Sequence, residues 1–108
     1  MTTFNDREAA FENQFVHDEE LKFKALARRN KLLGLWAAEK MGMDSLSAVE
    51  YAKSVVKADF EEPGDEDVIR KVLGDFERQQ VKIGRDELVL QLEKLFDEAK
   101  RQVMIDKD

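Results

Sequence analysis

Leu32-Leu33-Gly34-Leu35-Trp36-Ala37-Ala38 is apolar on nearly every side of a helix. A surface helix carries one apolar stripe, whereas a helix that is apolar all round has neighbours on several sides. The stretch therefore predicts the central helix of a bundle. That helix spans roughly 18–41 and stops at Gly42, a residue suited to the left-handed position just past a helix end. Toward the N-terminus it can extend as far as Asn5, where Asn5 and Glu8 have the spacing of a cap pair.

Three further helices follow. The second spans about 45–58, capped by Asp44 or Ser47, and Ser47 with Glu50 has the spacing of a capping box. Leu46, Val49, Ala52, Val56 and Phe60 form its expected inward face. Pro63 and Gly64 then break the chain, and Asp65 can cap what comes next. The third helix spans about 66–79, with Val68, Ile69, Val72, Leu73 and Phe76 on one face. After a link over residues 81–84, the fourth spans about 85–104, with Leu88, Leu92, Leu95, Phe96, Ala99 and Val103 on one face. Asp86 and Glu87 in its first turn, and Lys100 and Arg101 near its last, suit the helix dipole. Four helices with short links give an all-α, four-helix bundle of antiparallel type.

Composition agrees. The 108 residues suffice for one domain with one modest core. One proline and five glycines in a Glu/Lys/Leu/Ala-rich chain favour helices. The sequence has no long apolar run to span a membrane and no apolar signal core, so a cytoplasmic protein without direct membrane insertion is expected. Cysteine is absent, which removes disulfides and thiolate chemistry. The net charge of −6 argues against general affinity for nucleic acid. The charge is unevenly spread: residues 1–20 hold six acids and one base, residues 21–42 six bases and one acid, and residues 59–67 six acids and no base.

No catalytic or metal constellation can be assembled, so the chain is not expected to be an enzyme. Asp59, Glu61 and Glu62 with Asp65, Glu66 and Asp67 lack the ligand pattern of a calcium loop and read as a solvated acidic loop. His17 is the only histidine and cannot build a zinc site without cysteine. It reads as a surface residue, with a pH switch as the alternative. Phosphate-cradling glycine loops are missing. Lys22, Lys24, Arg28, Arg29 and Lys31, with Phe23 beside them, read as a solvated helix face paired with Glu19, Glu20 or acids elsewhere. The alternative for that face is contact with phosphate or an acidic partner.

One feature is left over. Phe4, Phe11 and Phe15 lie seven and four residues apart, within about 40° of one another on a helix. His17-Asp18-Glu19-Glu20 cuts this stripe off before the core pattern starts at Leu21. Burying a Phe side chain contributes roughly 1.5–3 kcal/mol, and ordering each residue of the backbone costs roughly 1–2 kcal/mol. Three rings therefore leave the segment marginal by itself, flexible or partly helical. A short amphipathic segment detached from a compact body fits a groove on another protein. The spacing favours that reading over folding back on the bundle. Residues 1–19 are thus expected to form one unit and residues 20–108 the bundle body.

Longer blocks are distinctive. Phe11-Glu12-Asn13-Gln14-Phe15-Val16-His17-Asp18-Glu19-Glu20-Leu21 leads into Ala27-Arg28-Arg29-Asn30-Lys31-Leu32-Leu33-Gly34-Leu35-Trp36-Ala37-Ala38. Later comes Val55-Val56-Lys57-Ala58-Asp59-Phe60-Glu61-Glu62-Pro63-Gly64-Asp65-Glu66-Asp67-Val68. Over essentially the whole chain these blocks resemble the ζ subunit of the alphaproteobacterial F-type ATP synthase. Where that family's pattern often has Asp, Lys and Ala, this chain has Asn5, Gln14 and Val16, so its first segment lacks one acid and one base that the pattern supplies.

The resemblance implies an inhibitor of ATP hydrolysis whose N-terminal helix wedges into the catalytic head of α, β and γ subunits. It implies a cytoplasmic protein held at the inner membrane only through the synthase, and a monomer when free. Phe4, Arg7, Phe11, Glu12 and Phe15 are the expected partner contacts, chosen from the stripe. No cofactor is expected, although the resemblance implies weak ATP or ADP binding on the bundle. No motif places such a nucleotide, and a helical nucleotide sensor with weak inhibition is the alternative function.

Overall fold

A computed structural model describes residues 19–59 and 64–106. Four helices account for most of them: α1 Glu19–Lys40, α2 Ser45–Ala58, α3 Glu66–Arg78 and α4 Arg85–Asp106. These bounds agree with the sequence reading to within two residues. Among the described residues there is no strand. As the all-round apolar stretch requires, α1 is central and packs against all three other helices.

The main core gathers Leu33 and Ala37 from α1, Val55 from α2, Val68, Val72 and Phe76 from α3, and Leu88 and Leu92 from α4. Trp36 meets Phe76 edge-on at 5.8 Å between ring centroids, an arrangement that aromatic quadrupoles favour. Among the described residues, a second, smaller cluster of Leu21, Ala25 and Val103, flanked by Phe96 and Met104, joins α1 and α4.

Helix ends follow backbone chemistry. Past α1, Gly42 takes φ 74°, and Met43 N and Gly42 N donate to Ala38 O and Glu39 O, both at 3.0 Å. This pair of bonds closes the carbonyl end of the helix. The same pair recurs after α3, where Val81 N donates to Phe76 O at 2.8 Å and Gln80 N to Glu77 O at 3.2 Å. There the left-handed position is held by Gln80, φ 60°. A side chain bearing a Cβ is disfavoured in that region by roughly 1–2 kcal/mol. Gln80→Gly should therefore raise stability by about 0.5–1 kcal/mol, after glycine's greater freedom in the unfolded chain is subtracted. Urea denaturation checks it, and a lower midpoint for the variant would contradict it.

Two expectations about caps divide. Asp44 is the N-cap of α2, its Oδ1 accepting from Ser47 N at 2.8 Å. Ser47 lies inside the helix, so it forms no capping box with Glu50, which instead pairs with Lys53. Asp65 precedes α3, but its side chain makes no cap bond. Its Oδ1 is taken by Arg29 of α1 at 2.9 Å. Tertiary pairing with a buried cation has overridden local capping.

The expected inward face of α2 is corrected. Ala52 and Val55 are its buried residues, Val56 is half-buried, and Leu46 and Val49 are 76% and 43% exposed. Phe60 lies outside the described residues. The cause is the crossing with α1, where the helices approach so closely that a Cβ on Gly34 would lie 2.5 Å from Ala52 Cα. Only the glycine and the small Ala52 fit there, and that contact sets the rotation of α2. Gly34→Ala should cost about 1–3 kcal/mol, as an overpacked core does. Elsewhere in a helix that change gains up to about 1 kcal/mol. Thermal melts decide, and an unchanged or raised midpoint would mean that the helices do not meet at Gly34.

Candidate functional site

Phe4, Arg7, Phe11, Glu12 and Phe15, along with His17, lie outside the described residues. What the structure describes is the bundle surface where this segment joins α1. Glu19 and Glu20 occupy the first turn of α1. Lys22 reaches Glu19 at 3.9 Å and Lys24 reaches Glu20 at 3.2 Å. These exposed pairs along one helix match the expected solvated face and contribute little to stability.

One base of the cluster leaves that face. Arg29 turns inward, with 3% of its side chain exposed. Its Nε and Nη2 donate to Asn30 Oδ1 at 3.0 and 2.9 Å, Nη2 also meets Asp65, and the guanidinium lies 5.6 Å from the Phe96 ring centre. A buried cation needs such compensation. Arg29 thus ties α1 to the start of α3 and to α4. Sequence reading grouped it with its neighbours because spacing alone does not show which side of a central helix faces solvent.

Lys24, Arg28 and Lys31 follow an i, i+4, i+7 spacing and line an open groove of about 390 Å³. Its apolar lining comes from Leu21, Phe23, Ala27, Val56 and Val103. Arg28 also donates to Gln102 Oε1 of α4 at 3.1 Å. Beside Phe23, Ala27 and Val56 the groove adjoins a smaller cavity of about 100 Å³, where Asn30 and Asp59 take part in the lining. Asn30 is 1% exposed, and its Nδ2 has no hydrogen-bond partner. The groove offers positive charge, apolar area and one buried donor.

Nothing comparable to a catalytic centre stands elsewhere among the described residues. No group of three or more His, Cys, Asp or Glu side chains there could hold a metal ion. The densest polar cluster surrounds Asp75, which accepts from Tyr51 Oη at 2.7 Å, from Lys71 Nζ at 3.2 Å and from Arg78. Burial pushes the Tyr51 hydroxyl up to about 12, so at neutral pH it stays a donor rather than a base. Arg85 pairs with Glu66 at the exposed start of α3 and holds that carboxyl below its usual range. Both arrangements join neighbouring helices. No described helix is long and apolar enough to cross a membrane.

Residues 1–102 match the family described as ATPase inhibitor subunit zeta. The chain belongs to that family. Membership supports a regulatory role as an inhibitor that associates with ATP synthase. A protein whose structure was solved by solution NMR is 50% identical, with a TM-score of 0.72 over 80% of this chain and 98% of that one. None of the curated proteins compared with the chain matches it.

Proposed function

We propose that the protein inhibits ATP hydrolysis by inserting its N-terminal helix into the catalytic head of the F-type ATP synthase, against the α, β and γ subunits. Phe4, Phe11 and Phe15 form the buried stripe of that helix, with Arg7 and Glu12 on its rim. The observation that carries this reading is the reach of the family match, which begins at residue 1 and takes in the whole stripe. In the sequence, by contrast, the core pattern starts only at Leu21, beyond the stripe. Free, the protein is a cytoplasmic monomer, held at the inner membrane only through the synthase. Insertion couples binding to ordering of the segment, which lowers affinity for a given contact area. The alternative, a helical sensor with weak ATP or ADP binding, has the basic rim of the groove in its favour, but the sequence offers no phosphate-cradling glycine loop. Titrating the purified catalytic head with the full-length protein should lower ATP hydrolysis to a saturating floor. Undiminished hydrolysis at saturating protein would overturn the proposal.

A further inference from the structure

The groove beside α1 matches a segment of this same chain. Its charged side is the stripe of Lys24, Arg28 and Lys31, and its lining is apolar, with Leu21 and Val103 near the start of α1. Phe23, on its wall, is 56% exposed. The groove begins where the first 18 residues enter α1. Those residues carry four acids, one base and the three-Phe stripe. On a helix, Glu8 and Glu12 flank one side of that stripe.

We propose that, before it meets the synthase, the segment 4–15 folds back along α1 as an antiparallel helix and lies in this groove, masking its own Phe stripe. The register follows from helix geometry. Two antiparallel helices rise equally per residue, so a turn centred near Asp18 sets Phe15 opposite Leu21, Glu12 opposite Lys24 and Glu8 opposite Arg28. Aromatic rings thereby meet the apolar lining and carboxylates meet the cations. The pairing is exposed, and salt screens such pairs. The docked state is therefore only marginally favoured over the unordered segment, so insertion still orders part of the population, and a deeper apolar groove elsewhere can displace the docked remainder. Its meaning as self-masking rests on the proposed inhibitory function, whereas the docking itself does not.

The chain lacks cysteine, so Ala9→Cys gives a single site for a nitroxide label. Ala9 faces away from the Phe stripe and, in this register, lies opposite Ala27. In the full-length labelled protein, the Ala27 and Val56 amides should be broadened several-fold more than that of Gly84 at the far end. Lys24→Glu with Arg28→Glu should abolish the difference, and Glu8→Lys with Glu12→Lys added to that variant should restore it. Equal broadening at Ala27 and Gly84 would overturn the proposal. So would broadening indifferent to charge reversal, or broadening that appears only between nitroxide-labelled and isotope-labelled copies, since a second copy would then occupy the groove. Inhibition assays on the labelled protein with its native charges separate the two claims. Docking without inhibition supports the groove and removes the inhibitory reading. Inhibition without docking does the reverse.

Discussion

Replacing Phe76 by alanine should remove about 3–5 kcal/mol of folding stability, a large part of the 5–15 kcal/mol that holds a typical domain together. The ring is 1% exposed and is the largest fully buried side chain among the described residues. It shares a cluster with Leu33 of α1, Val55 of α2, Val72 of its own helix and Leu88 of α4, so one truncation loosens the contact of all four helices. The edge-on contact with Trp36 is lost as well, a term worth about 0.5–1.5 kcal/mol beyond area burial. The cavity cannot easily collapse, because α1 and α2 are already in close contact at Gly34 and Ala52. Urea denaturation measures the loss. A cost below about 1.5 kcal/mol, less than is typical for a buried aromatic, would mean that the core is not centred on Phe76.

Phe11→Ala should weaken inhibition of the synthase by about 2–4 kcal/mol, the range for truncating a buried aromatic anchor. That corresponds to about 30- to 700-fold in the inhibitory concentration. Phe11 stands between Phe4 and Phe15 on the stripe and so lies deepest in a groove that takes all three. Glu8 is at the edge of the stripe, and Glu8→Ala should cost less. Inhibition titrations with Phe11→Ala, Glu8→Ala and Arg7→Ala, each checked for an unchanged melt, decide between aromatic and charged anchoring. Full inhibition by Phe11→Ala alongside its loss in Arg7→Ala would show that charge carries the binding.

Helix positions were legible because several levels of the sequence agree on them. The apolar run at Leu32 to Ala38 marks the central helix, Gly42 closes it, and Asp44 caps the next. The faces of α3 and α4 were legible too, since each presents one stripe to the core. The face of α2 was not. Its rotation is set by the absence of a side chain at Gly34, a tertiary contact that leaves no period in the sequence of α2 itself. The basic cluster was legible as charge but not as geometry. Arg29 looked like its neighbours, yet only Lys24, Arg28 and Lys31 border the groove. Asp65 likewise looked like a cap and serves instead as the partner of Arg29.

The most direct measurement compares ATP hydrolysis by the purified catalytic head in the presence of the full chain and of residues 19–108. The core clusters among the described residues lie within the shorter chain, so its melt should remain cooperative. The expected result is inhibition by the full chain and none by the folded shorter one at the same concentration. Equal inhibition by both would place the inhibitory surface on the bundle and contradict the account.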